Sequence, residues 1–178
     1  MLVKYHLNMV NLPPSLATNT IKTQSNNHPI FFEVAHMDIA YGDTVAPGGI
    51  KFALVVVDRK THYNFIFPLT ECKSTTIINT LRKLKVTAGK LSRTLYMDFD
   101  PKLLSAKITT WYNSQNDIIL AAPPKQQHQN GLVKRTWQTL STMARAFIND
   151  KQMLRSYWYW AAKHASHVQN IFPIKLDD

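Results

Sequence analysis

The sequence predicts an α/β fold: a mixed sheet of about five strands, three in an antiparallel meander and two parallel, flanked by helices. Three observations predict it. The stretch IKFALVVVD, residues 50–58, is apolar at nearly every position, as a strand covered on both faces must be. FFEVAHMDIAY (31–41) and THYNFIFPL (61–69) flank it and are separated from it only by turn-forming residues. Beyond residue 74 the period switches, and stretches of helical spacing alternate with short apolar runs.

Taken in order, residues 1–30 read as an irregular lead, because NLPPSLATNTIKTQSNNHP is rich in Pro, Ser, Thr and Asn and has no sustained period. The domain is placed at 31–178. FFEVAHMDIAY is the first strand and DTVAPGG the turn after it. IKFALVVVD is the second strand. In the third, Tyr63, Phe65, Phe67 and Leu69 alternate, which suits an antiparallel neighbour. Ser74 or Thr75 is placed to cap a helix running to about Ala88. Ile77, Ile78, Leu81 and Leu84 share one face of it, and Gly89 lies past its end. RTLYMD is a short strand. A helix over Leu103–Ser114 buries Leu103, Leu104, Ile108 and Trp111 or Tyr112. DIIL is the fifth strand, and Pro123 and Pro124 then break the chain. A long helix from about Gln127 to Ile148 buries Val133, Trp137, Leu140, Ala144 and Phe147. A last helix, Leu154 to about Asn170, carries Tyr157, Trp158, Ala161, Ala165 and Val168.

Composition narrows the function. A chain of 178 residues with 45% hydrophobic content is long enough to bury a core. There are 21 Lys and Arg against 11 Asp and Glu, a formal charge of +10, which favours a polyanionic partner, nucleic acid being the commonest. A basic protein without such a partner is the plain alternative. The single cysteine, Cys72, excludes a disulfide framework and a Cys-based zinc site within the chain. No run of eighteen apolar residues is present, and the apolar run in MLVKYHLNMVNLPPSL is short for a secretory signal. Neither a membrane span nor secretion is expected.

The basic residues cluster. Arg59–Met97 holds eight Lys or Arg and the one acid Glu71, and Ile119–Leu176 holds eight and the one acid Asp150. Isolated carboxylates on such a background suit a metal-dependent enzyme acting on phosphates, or chance. Three places stand out. Asp38, in HMDIA, is an acid inside an apolar strand, hence either a hydrogen-bonded structural group or a ligand. Asp98 ends RTLYMD, where loops open a crevice; Asp100 is a substitute, and both also suit the turn before Pro101. Lys134 lies in a polar stripe of Asn130, Lys134, Gln138, Ser141 and Arg145 that recurs every three to four residues. That stripe is either a solvated face or a face laid against phosphate.

These pieces together resemble the catalytic core of copia-type retrotransposon integrases, in the retroviral integrase superfamily with its RNase H-like fold. The resemblance covers roughly four fifths of the chain, from Phe31 to Lys175. HMDIA is similar to the family's first strand and puts the first catalytic Asp at Asp38. KFALVVVDRKTHYNFIFPL is similar to its second and third strands. LYMDFD puts the second Asp at Asp98. PPKQQHQNGLVKRTWQTLSTMAR and SYWYWAAKHASHVQNIFP are similar to the segment around the final glutamate and the helices after it; the part from QNG to MAR is the most specific piece.

The resemblance implies DNA as partner, Mg²⁺ or Mn²⁺ held by Asp38 and Asp98, self-association as a dimer or higher oligomer, and the nucleus of a eukaryotic host. The basic stretches, which need no metal to attract phosphate, offer Lys125, Gln127, Asn130, Lys134 and Arg135 as candidate nucleic-acid contacts, with Lys102 and Lys107 as further ones. One departure stands out. The family's glutamate lies thirty-six positions beyond the second Asp, directly before an Arg. Here that position is Lys134, followed by Arg135, and no acid occurs between Asp117 and Asp150. No paired cysteines of the family's zinc module precede residue 31, so no zinc is expected.

In this superfamily two divalent ions, about 4 Å apart, clamp the oxygens of a phosphoryl displacement. Replacing Glu by Lys removes a ligand and adds a cation where a cation should bind. The expectation is therefore an integrase core defective in strand transfer, with Lys134 paired to one or both aspartates. The alternatives are an active polynucleotidyl transferase or nuclease using a substitute ligand such as Asp100, and a non-catalytic DNA-binding or relic domain.

Overall fold

The computed structural model describes residues 31–98, 100, 103, 105–121 and 130–172. The irregular lead, Lys102, Leu104, the proline break with Lys125 and Gln127, and Lys175 lie outside the described residues.

The first three strands form the antiparallel meander: β1 (Val34–Ala46), β2 (Ile50–Asp58) and β3 (Asn64–Leu69). β1 runs five residues beyond the expected Tyr41, through Asp43, Thr44 and Val45. The reversal needs only Pro47, Gly48 and Gly49. Both glycines are left-handed, with φ of 86° and 74°, so the chain turns without drawing on the residues before them. A bulge between Tyr41 and Ala46 absorbs the change of register.

Helix α1 (Ser74–Ala88) ends on Gly89, at φ 79°, as the sequence predicts. Its start differs from expectation: Lys73 is the cap position and no side chain caps it. Ser74 Oγ instead meets Ser105 Oγ at 2.8 Å, tying the helix to the start of the next. β4 (Thr94–Met97) follows. Helix α2 (Ala106–Asn113) starts later than Leu103, because Ser105 caps it by accepting from the Ile108 N–H. Leu103 is buried from a turn, its N–H donating to the Asp100 carbonyl. β5 (Ile118–Ala121), α3 (Gly131–Asp150), a 3₁₀ turn (Arg155–Tyr157) and α4 (Trp158–Ile171) complete the described chain. The predicted single helix from Leu154 is thus a 3₁₀ turn followed by α4.

The sheet order is β3-β2-β1-β4-β5, with β4 parallel to β1 and β5 parallel to β4. β1 is therefore the middle strand, because both parallel strands add to its free side. β2, with paired neighbours on both edges and buried faces, matches its apolar run.

Each face of the sheet has its own core. Ala35, Met37 and Ile39 of β1 join Leu54, Leu95 and Met97 against Ile77, Leu81, Leu84 and Ile108 of α1 and α2. Ala40, Val55 and Val57 pack on the other face against Val133, Ala144, Ile148, Tyr159 and Ala162 of α3 and α4. On α3, Thr136 and Ile148 are buried where Trp137 and Phe147 were expected; those two are half-buried. On α4 the buried aromatic is Tyr159, while Tyr157 is exposed, because the helix proper starts only at Trp158.

Candidate active site

Strand periodicity decides which side the acids face. Ala35, Met37 and Ile39 point to the α1–α2 core, so His36, Asp38 and Ala40 point to the α3–α4 side. β4 obeys the same alternation: Leu95 and Met97 face α1 and α2, which turns Tyr96 and Asp98 the other way. The parallel register puts His36 beside Tyr96 and Met37 beside Met97. The next position on each strand is Asp38 and Asp98. Two acids sixty residues apart in the chain thus become lateral neighbours, at the point where β4 ends.

Helix α3 brings the third group. Asn130, just before its first residue, is 0% exposed. Its Nδ2 donates to the Met37 carbonyl at 3.1 Å. Its Oδ1 lies 3.3 Å from His36 Nδ1, which therefore carries the ring proton and donates it. Burial lowers the His36 pKa and so favours the neutral ring, which stacks on Tyr96 with centroids 5.2 Å apart. These contacts dock the helix start on β1. One helical turn later, Lys134 Nζ reaches Asp98 Oδ2 at 2.5 Å. Side-chain exposure is 42% for Lys134 and 21% for Asp98.

The two carboxylates differ in their surroundings. Asp38 Oδ1 accepts the Ile39 N–H at 2.9 Å. Burial pushes the Asp38 pKa up; the Ile39 N–H pulls it back, the Asp98 charge raises it, and Lys134 and Asp100 act with smaller opposite effects. Asp98 Oδ1 is a buried atom that has no hydrogen-bond partner among the described residues.

This donor set does not fit a two-ion centre. One Asp98 oxygen is taken by an ammonium and one Asp38 oxygen by a backbone N–H. Among the described residues no three His, Cys, Asp or Glu side chains come together to hold a metal ion. What the arrangement does is pair one half-buried carboxylate with a cation supplied by the chain itself.

The remaining expected residues divide. Arg135 is exposed on α3. Asn130, expected as a nucleic-acid contact, is 0% exposed in the structure. Its polar spacing with Lys134 resembles a surface stripe, but its amide is used by β1. Lys107 is exposed on α2, which packs on the opposite face of the sheet from Lys134. His36 is a site residue that motif reading passed over. The signal was present, since a residue two before Asp38 in a strand shares its face. Among the described residues no helix is long and apolar enough to cross a membrane.

Neither a family model nor a curated protein sequence matches the chain. Solved structures do. The chain is similar to the HTLV-2 integrase catalytic core domain in complex with magnesium. For the trimeric form the identity is 16% and the TM-score 0.63, over 81% of this chain and 88% of that one. For the dimeric form they are 16% and 0.64, over 82% and 91%. At that identity the likeness is one of fold: a mixed five-stranded sheet flanked by helices, the RNase H-like fold of retroviral integrase cores.

Proposed function

We propose that this RNase H-like chain is an integrase-core-like domain of a copia-type retrotransposon polyprotein, which binds nucleic acid and is defective in strand transfer. The observation that carries the reading is the ion pair between Lys134 and Asp98. Lys134 occupies the position where the resemblance calls for a glutamate. A side chain that should add a third negative ligand instead supplies a positive charge to the second. The swap changes local charge by two units. The ammonium is a compact cation delivered by the chain itself, so the aspartates are partly neutralised without a bound ion.

Nucleic-acid binding needs no metal. It follows from the net charge and from exposed cations such as Arg135, which attract phosphate by counterion release. In this reading the partner is DNA, the compartment is the nucleus, and the domain self-associates. The HTLV-2 cores, which occur in dimeric and trimeric forms, support that last element.

A second reading keeps catalysis, with Asp100 as substitute ligand. It is favoured by the electrostatic reach of Asp100 to Asp38. The experiment that separates them is Mn²⁺-dependent processing of a labelled duplex DNA end, run on the native chain and on Lys134→Glu. An inert native chain and an active Lys134→Glu support the disabled core. Activity in the native chain overturns it in favour of the second reading.

A further inference from the structure

A pair of arginines, Arg145 and Arg155, lines a concavity away from Asp38 and Asp98. Two adjoining cavities, of about 280 and 180 Å³, open where the far end of β1 meets the second half of α3 and the turn before α4. They share Asp43, Arg145, Ile148 and Trp158, and Arg155 lines the larger one. Trp158 is held in place by its surroundings. Its ring lies so close over Gly42 that a Cβ there would come within 2.2 Å of it. Its Nε1 donates to the Thr44 carbonyl at 2.8 Å, and Trp137 meets it edge to face at 6.5 Å. The aromatic wall is thus preorganised. Arg145 leans on Thr142 Oγ1 at 3.4 Å. Among the described residues neither Arg145 nor Arg155 forms an ion pair, although Asp43 lines both cavities.

We infer that this is a binding site for one nucleotide of a single-stranded nucleic acid, with its phosphate between Arg145 and Arg155 and its base against Trp158. The inference rests on the nucleic-acid-binding reading above and adds a place and a strand preference to it. Two guanidinium groups around one concavity call for an anion, and Arg suits phosphate by its planar, multidentate donor set. The aromatic wall suits a base, whose stacking is worth about 1–3 kcal/mol in single-strand sites. The space admits a splayed-out nucleotide rather than a paired duplex step. Asp43 argues against a bare inorganic anion, which it would repel. A base offers it amino or imino donors instead.

The location is consistent with a path along α3. Arg145 follows Lys134 by eleven residues, close to three whole turns, so both lie on one side of the helix, about 16 Å apart along its axis. Gln138 and Ser141 lie between them on the same stripe.

The test is fluorescence anisotropy with a labelled single-stranded oligonucleotide and the duplex of the same sequence. Both are titrated over a salt series with the native chain and with Arg145→Gln/Arg155→Gln. Both arginines are exposed, and thermal melting checks that the variant folds. The expected result is about a tenfold loss or more for the single strand. The slope of log K against log salt should shrink by about 0.7, one phosphate's worth, with a smaller change for duplex. Asp43→Asn, a second variant, should alter affinity among oligonucleotides of different base while leaving the slope unchanged. If the native chain binds and the double variant matches it in affinity and slope, the site is wrong and the broader reading stands. If the native chain binds no nucleic acid, both fall. If a mononucleotide displaces the oligonucleotide no better than inorganic phosphate at equal ionic strength, the pocket is a simple anion site and the nucleotide assignment is overturned.

Discussion

Lys134 Nζ sits 2.5 Å from Asp98 Oδ2, and the neighbouring strand position to Asp98 is Asp38. A cation from α3 is thereby built into an acidic site on the sheet. The pair is partly exposed, so its own stabilisation is on the order of 1 kcal/mol or less. Its consequence is for cation dependence rather than for bulk stability.

The melting temperature of the native chain should therefore be the same in EDTA and in excess Mg²⁺. In Lys134→Glu three carboxylates face one another, and their repulsion is relieved only by a cation. That variant should melt lower in EDTA and recover in Mg²⁺. Calorimetry in the two buffers checks this. A native chain that gains clear stability from Mg²⁺ would show that the ammonium does not take the ion's electrostatic role.

Asn130→Ala should cost about 2–3 kcal/mol in denaturant unfolding. It removes two buried hydrogen bonds and leaves the His36 ring and the Met37 carbonyl without their partner. The damage should be local to the start of α3, seen as faster hydrogen exchange there than in α1. An Asn130→Ala protein as stable as the native one would contradict the docking role assigned to this side chain.

Gly42 is a strand glycine required by a neighbour. Gly42→Ala drives a methyl group into the Trp158 ring and should cost roughly 1–3 kcal/mol. The ring must shift and its bond to the Thr44 carbonyl lengthen, so tryptophan fluorescence should change along with stability. Gly131→Ala is the contrast, since a Cβ there meets nothing within 4 Å. It should be close to neutral.

Tyr159 provides an alkaline signature. Burial pushes its pKa up to about 12, above the ordinary value of 10.0. The folded state then holds a proton that the unfolded chain gives up. Its contribution is complete below pH 10 and is lost as pH rises through 12. The loss should be on the order of 2–3 kcal/mol. Tyr159→Phe should flatten that part of the stability profile, measured by urea unfolding from neutral to strongly alkaline pH. Tyr112, also pushed up by burial, keeps the rest of the alkaline slope in place. An unchanged profile in Tyr159→Phe would mean that the hydroxyl is already solvated in the folded chain.

The sequence by itself determined the elements whose signal is local. The unbroken apolar run of β2 predicts a strand with covered faces, the spacing of Ile77, Ile78, Leu81 and Leu84 predicts the buried side of α1, and Gly89 predicts where that helix stops. Side-chain period is a property of consecutive residues, so it can be read without knowing the fold. Asp38, Asp98 and Lys134 were legible as three unusual residues, and it was the resemblance to integrase cores that assigned them to one site.

Only the tertiary structure decided how those residues meet. The register that sets Met37 beside Met97, and so Asp38 beside Asp98, joins strands sixty residues apart and leaves no mark in either segment. Asn130 looked like one more polar residue on a surface stripe. It is buried because a carbonyl of β1 and the His36 ring need its amide. The same holds for Trp158, whose position depends on a glycine in a strand more than a hundred residues earlier. Long-range pairing and docking depend on which surfaces face each other once the sheet is assembled, and no stretch of neighbouring residues encodes that alone.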